Sequence, residues 1–286
     1  RAVRVRNALL AEPPGSVADF EWTPAQAPGL FRMERRVAPP LFADAVARLD
    51  ISACASDWER ALRIAEHLVT HAQDLGPIRA DLEKTYAAIL AGRGYCADYV
   101  RVFLGLAHAA GLYVRQWAFS FDGYGGHGHT VVEIFDRARG KWLFLDVYNN
   151  FHACDAATMQ PLGALEFREA LLLAKREFRL ETNGAGRAGY AIQESLLAYY
   201  RRGLQGWYLF CSNAIFSYEA HPLVRLTGRF SRAAEQFVAT LLGLHPRIQV
   251  LLTRENEAMA QALTALGRRF RVALLLFGIL TLLLAW

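Results

Sequence analysis

The stretch GRGYCADYV, residues 92–100, places a cysteine between a glycine-containing turn and an apolar segment. Gly92 and Gly94 permit a sharp backbone turn before the cysteine. The residues that follow, ADYVRVFLGLAHAAG, carry an apolar stripe at helical spacing that ends at Gly111. The pattern therefore predicts a helix with Cys96 in its first turn. Unpaired N–H groups and the helix dipole favour a thiolate at that position, which makes Cys96 a candidate nucleophile.

The segments on either side of this predicted helix differ in periodicity. Upstream, apolar residues recur at helical spacing in DWERALRIAEHLVTHAQ and IRADLEKTYAAILAG. Downstream, apolar and polar residues alternate in LYVRQWAFSF, GHTVVEIFDRA and GKWLFLDVYNN, which predicts consecutive antiparallel strands joined by short turns. Helices followed by a sheet indicate the α+β class, with helices packed on an antiparallel sheet.

Two polar side chains in the predicted strands can complete a catalytic group with Cys96. A thiol nucleophile needs a base and a third group that orients the base. His129 begins the segment HTVVEIF and Asp146 follows the apolar run WLFL, so neighbouring strands would bring both to one end of the sheet. Two alternatives stay open. His127 points to the same strand face as His129, and Cys96 can instead be a packed thiol, as many cysteines are.

Four short motifs in order, GYCADYV, GLYVR, HTVVE and WLFLD, resemble those of the transglutaminase-like superfamily, a branch of the papain-type cysteine fold. The expected relative is a bacterial-type, membrane-associated member of that superfamily. The resemblance implies Cys96 as the nucleophile, His129 as base and then acid, and Asp146 as the group that orients His129. Val131 and Val147 stand where many members have an aromatic residue and a proline. Those departures bear on substrate preference more than on the triad.

The resemblance implies cysteine-dependent acyl transfer on amide or ester substrates, of the protease, amidase or transglutaminase type. A protein or peptide is the expected substrate, and water or an amine accepts the acyl group. Two other functions stay open. One is an arylamine N-acetyltransferase-like acyltransferase, which GRGYC and DVYNN match in part. The other is a non-catalytic transglutaminase-like scaffold at a membrane. The presence of all three triad residues argues against this scaffold function.

Residues around the triad have expected supporting roles. Arg115 is expected to pair with Glu133 rather than to bind substrate. The backbone N–H of Cys96 is the expected oxyanion donor, and Trp58 is a candidate for a contributing side chain.

Composition narrows the partners and cofactors. Lys and Arg number 32 against 27 Asp and Glu, a net charge of +5 without a basic block, so no nucleic-acid partner is expected. The four cysteines are widely spaced, and no dense acidic loop is present, so we expect no metal and no cofactor. Free thiols are expected, with a disulfide between Cys54 and Cys211 left open. The sequence does not indicate an oligomeric state.

Four regions are predicted along the chain. They are an extended Pro/Ala-rich lead-in at 1–50, a transglutaminase-like core at 51–165, a helical C-terminal region at 166–270, and a membrane helix at 271–286. A glycine-rich stretch, NGAGRAG at 183–189, is the most linker-like segment after the lead-in.

The last region is apolar on every side. Val272–Trp286 holds 15 residues without a charge, preceded by Arg268, Arg269 and Arg271. Fifteen helical residues span about 22 Å, which suits a short or tilted membrane helix. The basic flank predicts that the folded part lies on the cytoplasmic side of a membrane. A buried C-terminal core helix is the alternative.

Overall fold

A five-stranded antiparallel sheet, ordered β3–β2–β1–β6–β7, forms the centre of the fold. It is seen in a computed structural model that describes residues 2–73, 76, 78, 80–173 and 176–284. The strands are β1 (Tyr113–Ser120), β2 (Gly128–Asp136), β3 (Lys141–Leu145), β4 (Phe151–Asp155), β5 (Phe178–Thr182), β6 (Trp207–Phe210) and β7 (Ile248–Val250). Strands β4 and β5 pair in a separate two-stranded sheet. The helices are α1 (Ala2–Leu10), α2 (Pro40–Arg48), α3 (Asp57–Val69), α4 (Leu82–Leu90), α5 (Cys96–Ala109), α6 (Ala164–Leu173), α7 (Gln193–Gly203), α8 (Ile215–Glu219), α9 (Pro222–Gly228), α10 (Arg232–Leu241) and α11 (Glu257–Leu284).

The predicted α+β class and the three predicted strands are confirmed. Strands β1, β2 and β3 are consecutive antiparallel neighbours. Helices α3, α4 and α5 share one apolar core with inward side chains of this sheet, among them Val132, Ile134 and Leu143. These side chains alternate along β2 and β3 with those of the opposite face, as period-2 patterning requires.

The opposite face of the sheet is aromatic and contains a buried ion pair. Arg115 Nε lies 2.7 Å from Glu133 Oε2, and both side chains are almost fully buried. The guanidinium also lies over the rings of Trp22 and Trp142, at 4.9 and 4.3 Å from their centroids. The expected pairing of Arg115 with Glu133 is confirmed. Since the pair joins β1 to β2, it stabilises the sheet and is not available to bind substrate.

Strands β6 and β7 were missed in a region that the sequence predicted to be helical. The run WYLF at 207–210 pairs antiparallel with β1, with Trp207 opposite Phe119. Strand β7 pairs in turn with β6. A short apolar run suits a buried strand as well as a buried helix, so periodicity alone does not separate the two.

The lead-in differs from the expected extended chain, because it contains helices α1 and α2. Ala- and Leu-rich segments favour helix wherever packing is available, and α1 packs along α11. The two helices approach closely: a Cβ on Gly267 would lie 2.1 Å from the carbonyl oxygen of Ala8. Helices α1 and α11, from the first and last parts of the chain, are therefore packed together. The four predicted region boundaries stay predictions.

Helix α11 continues into the predicted membrane segment, where its apolar side chains are exposed. Among the described helices, none combines the length and the hydropathy that crossing a bilayer requires. The predicted transmembrane helix is therefore not supported. Residues 285 and 286, which include the terminal Trp286 of that prediction, lie outside the described residues.

Candidate active site

The turn before α5 has the backbone conformation that its glycines suggest. Gly92 has φ 86° and Gly94 has φ 130°, both in the region that L side chains rarely adopt. A Cβ on Gly92 would also lie 2.4 Å from the carbonyl oxygen of His71. The glycines thus allow the chain to turn tightly and to begin α5 at Cys96.

Asp98 caps the start of α5. Its Oδ2 accepts hydrogen bonds from the backbone N–H of Tyr95 at 3.0 Å and of Ile78 at 3.2 Å. A carboxylate there also interacts favourably with the positive end of the helix dipole. Cys96 is the first residue of α5 and its thiol is partly exposed. The first N–H groups of a helix lack intrahelical acceptors, so the Cys96 N–H suits the expected oxyanion role.

His129 and Asp146 meet at one end of the sheet. His129 is the second residue of β2, and Asp146 directly follows β3. Their side chains are buried, and His129 Nε2 lies 2.7 Å from Asp146 Oδ2. The hairpin of β2 and β3 therefore places the predicted base beside the predicted orienting group.

Cys96 joins His129 and Asp146 from helix α5, which packs against the sheet. Its side chain shares a hydrogen bond with that of His129, and both Cys96 and Asp146 interact electrostatically with the imidazole. Because Nε2 faces Asp146, Nδ1 is the ring nitrogen left for the sulfur. The structure thus brings together the three residues that the sequence singled out.

Two further residues, Asn149 and Tyr200, hold the Asp146 carboxylate. Oδ2 accepts hydrogen bonds from Tyr200 Oη at 2.6 Å and from Asn149 Nδ2 at 2.7 Å. Oδ1 accepts from the backbone N–H of Asn149 at 3.1 Å. Asn149 Nδ2 also lies 3.2 Å from His129 Nε2, a distance that follows from both nitrogens donating to the same oxygen. Sequence reasoning identified neither residue as part of the site.

These contacts determine the protonation of the site. Burial disfavours the imidazolium, but Asp146 and Cys96 outweigh it and raise the pKa of His129 to about 10. Burial likewise acts to raise the pKa of Asp146, yet His129, Asn149 and Tyr200 together hold it below its usual value. At neutral pH the site therefore has a buried imidazolium between the Asp146 carboxylate and the Cys96 sulfur.

Tyr200 is suited to act as a permanent donor. Burial, followed by the adjacent Asp146, raises the pKa of its hydroxyl well above the usual value. The side chain is fully buried in the aromatic core of the sheet. Its hydroxyl hence stays protonated and donates to the carboxylate throughout the physiological pH range.

An aromatic cleft of about 370 Å³ opens beside His129. It is lined by His129, Tyr148, Asn149, Gly189, Tyr190 and Tyr199. Tyr190 and Tyr199 pack with their ring centroids 5.1 Å apart, and the edge of Tyr199 meets the imidazole. The backbone N–H of Tyr190 donates to Asn149 Oδ1 at 2.8 Å, which fixes the segment around Gly189 against the site. The linker-like stretch of the sequence therefore forms part of the cleft wall.

The other candidates lie elsewhere. His127 is exposed in the loop before β2. Trp58 packs its ring against His152, which gives no support to an oxyanion role. Cys54 and Cys211 are free thiols, so the disulfide left open by the sequence is not present. In the described part of the chain, no cluster of three or more His, Cys, Asp or Glu side chains is arranged to hold a metal ion.

Comparison with known proteins identifies the segment that contains the three candidate residues. Residues 45–147 match the family model Transglut_core, described as the transglutaminase-like superfamily. The match includes Cys96, His129 and Asp146, and it leaves Asn149 and Tyr200 outside. A search of curated proteins and a search of solved structures each gave no significant match.

Proposed function

We propose that this chain, which carries a transglutaminase-like superfamily domain at residues 45–147, catalyses cysteine-dependent acyl transfer from an amide or ester. Members of the superfamily are commonly cysteine-dependent acyltransferases or proteases. The proposed triad is Cys96, His129 and Asp146, and the proposed substrate is a protein or peptide. The observation that carries the proposal is the continuous hydrogen-bonded series from Cys96 through His129 to Asp146.

The proposed reaction has two halves. In the first, the Cys96 thiolate attacks the substrate carbonyl carbon, and a C–S bond forms as the C–N or C–O bond breaks. The His129 imidazolium gives its proton to the departing amine or alcohol. In the second half, water or an amine attacks the thioester while His129 takes its proton, and Cys96 leaves as thiolate. Asp146 keeps the imidazole oriented and stabilises its positive charge throughout.

The aromatic cleft is the proposed site of the acyl donor. It adjoins His129, and its tyrosine rings offer flat apolar surface to an extended chain. Because tyrosine rings line the cleft beside His129, we propose a preference for unbranched acyl groups.

The first test compares two cysteines of the same molecule. Cys54 and Cys96 are both free and partly exposed, but only Cys96 shares a hydrogen bond with a histidine. At pH 6 iodoacetamide should alkylate Cys96 at least about tenfold faster than Cys54, because only the Cys96 sulfur has a protonated imidazole beside it. Peptide mass spectrometry of timed samples gives both rates. Equal rates at pH 6 would support the non-catalytic scaffold instead.

We also propose that the exposed end of α11 binds an anionic membrane surface, with the folded part on the cytoplasmic side. Between 272 and 284 the helix exposes ten large apolar side chains: Val272, Leu274, Leu275, Leu276, Phe277, Ile279, Leu280, Leu282, Leu283 and Leu284. Contiguous exposed apolar surface of this kind is unfavourable in water and typical of an interaction site. The arginines at 268, 269 and 271 favour anionic headgroups next to it.

Vesicle flotation tests this second proposal. The full chain should float with vesicles containing phosphatidylglycerol and should bind less to vesicles of phosphatidylcholine alone. A chain ending at Arg271 should remain in the lower fraction, because it keeps the buried contacts of Ala260, Leu263 and Gly267 but loses the apolar end. Substitution of the exposed Phe230 by serine is the control and should leave flotation unchanged. Equal flotation of the full and shortened chains would contradict membrane binding through α11.

A further inference from the structure

Arg202 lies beside the aromatic cleft without lining it. It is exposed in the last turn of α7, three residues after Tyr199, which lines the cleft. Residues three apart are neighbours on the surface of a helix. The guanidinium carbon of Arg202 lies 4.8 Å from the centroid of the Phe121 ring, and that ring packs against Tyr199 at 5.0 Å. Because the edge of Tyr199 meets the imidazole of His129, two aromatic rings connect Arg202 to the site.

The contact with Phe121 gives the charge of Arg202 a preferred position. A guanidinium over an aromatic ring is attracted by the negative face of the ring. Phe121 is itself held in place: its backbone N–H donates to the carbonyl oxygen of His127 at 2.8 Å, and its ring packs against Phe119 at 5.7 Å. The cation is therefore held at one rim of the cleft.

No carboxylate neutralises this cation. Among the described residues, no Asp or Glu forms an ion pair with Arg202. Asp122 belongs to the same loop as the ring under Arg202, but its Oδ1 accepts from Ser120 Oγ at 2.7 Å and from the backbone N–H of Gly125 at 2.9 Å. An anionic group near this rim therefore meets a cation that has no partner of its own.

The cleft offers no competing carboxylate. None of its described lining residues is Asp or Glu, and the buried Asp146 behind the cleft is already paired with His129. The charge of Arg202 also acts on the cleft wall. Burial raises the pKa of the Tyr199 hydroxyl, and Arg202 acts on that pKa in the opposite direction.

We propose that Arg202 is a specificity-determining residue of the cleft, and that the preferred acyl donor carries a carboxylate close to its acyl group, as an acidic peptide does. Arginine donates charge-assisted hydrogen bonds to a carboxylate, and no such bond forms with the neutral analogue. The inference rests on the proposed acyl transfer, since it concerns the substrate of that reaction. The charge preference of the cleft can nevertheless be measured without it.

Alkylation of Cys96 measures this preference directly. Iodoacetate and iodoacetamide both transfer a two-carbon group to the sulfur with loss of iodide, but only iodoacetate is an anion. At pH 7 and low ionic strength, the ratio of their rates at Cys96 should fall by at least about twofold in Arg202→Gln. Arg202→Lys keeps the charge and should keep most of the ratio. Addition of 0.5 M NaCl should reduce the difference between the variants, because salt screens exposed charges.

Arg201→Gln is the matched control. Arg201 is the neighbouring exposed arginine of α7, but it lies two residues after Tyr199 and does not face it. This variant loses the same net charge and should retain the alkylation ratio of the unaltered protein.

Two esters of equal chain length extend the test to acyl transfer. Mono-4-nitrophenyl adipate carries a terminal carboxylate, whereas 4-nitrophenyl hexanoate is neutral. The ratio of their kcat/KM values, adipate over hexanoate, should fall by at least about twofold in Arg202→Gln, chiefly through KM for the adipate. It should be unchanged in Arg201→Gln and largely restored in Arg202→Lys.

The two measurements fail in different ways. Equal alkylation ratios in the unaltered protein and Arg202→Gln, or equal falls in Arg201→Gln and Arg202→Gln, would overturn the role of Arg202. An ester ratio that Arg202→Gln leaves unchanged would overturn it as well. Failure of both esters to react, together with the expected change in alkylation, would count against acyl transfer but would leave the charge preference at Arg202 supported.

Discussion

Replacement of Cys96 by serine is expected to abolish the burst of p-nitrophenolate from p-nitrophenyl acetate and to lower the enzyme-dependent rate by about 10³-fold or more. The reason lies in the protonation of His129. With a pKa of about 10, the imidazole already carries its proton at neutral pH, so it is suited to pair with a thiolate and not to deprotonate a hydroxyl. A serine hydroxyl needs a base to remove its proton, and the protonated His129 cannot act as that base.

The control for this experiment is Cys54→Ser, which removes another partly exposed thiol and should change the rate by less than about twofold. Addition of hydroxylamine to the unaltered protein reports the second half-reaction, because an amine acceptor yields a hydroxamate where water yields acetate. A burst of undiminished size in Cys96→Ser would show that the acyl group is carried by another residue.

The meeting of Cys96, His129 and Asp146, the proposed triad, was largely predictable because each of them lies in a locally determined element. The turn before Cys96 depends on glycines at positive φ, and β2 depends on an alternation that buries His129 and Glu133 on one face. Short turns between the strands then determine which residues are neighbours. Local pattern was sufficient to bring Asp146 next to His129, and the four ordered motifs linked both to Cys96.

The supporting residues were not predictable in the same way. Tyr200 lies 54 residues beyond Asp146, in a helix where a tyrosine at that spacing is typical of any buried face. Its partner is determined by how α7 packs on the aromatic side of the sheet, which is tertiary information. Strand β6 has the same origin, because WYLF becomes a strand through pairing with the free edge of β1. Long-range packing, not local propensity, decided both features.

Substitution of Asp146 by asparagine is expected to lower the rate of acyl transfer by about 10²- to 10⁴-fold and to move the alkaline limb of the pH–rate profile to lower pH. With an amide substrate, whose amine has to be protonated as it leaves, the limb of the unaltered protein should lie near pH 10, where His129 loses the proton that the amine needs. Asp146 is the larger of the two partners that raise this pKa, while burial lowers it. Without the carboxylate, burial prevails and His129 deprotonates earlier.

The same substitution has a predictable effect on stability. The pKa of His129 is raised from 6.5 to about 10 by folding, so its contribution to the free energy of unfolding is fully present below about pH 6.5 and is lost as the pH rises towards 10. The pKa of Asp146 is lowered from 3.8, so its contribution is present above about pH 4 and is lost on further acidification. Urea unfolding should therefore show the largest difference between the unaltered protein and Asp146→Asn between about pH 4 and 6.5, and a smaller one at pH 10.

Tyr200→Phe distinguishes loss of the carboxylate charge from disturbance of its surroundings. The variant keeps the Asp146 charge but removes the hydrogen bond that Tyr200 Oη donates at 2.6 Å. Without that donor, Asp146 Oδ2 attracts the imidazolium proton at least as strongly, so the alkaline limb should stay near pH 10 or move above it. A limb that moves to lower pH in Asp146→Asn but not in Tyr200→Phe would assign the raised pKa of His129 to the carboxylate charge. An alkaline limb that moves to lower pH by the same amount in both variants would instead mean that the packing of the site, and not the carboxylate charge, keeps His129 protonated.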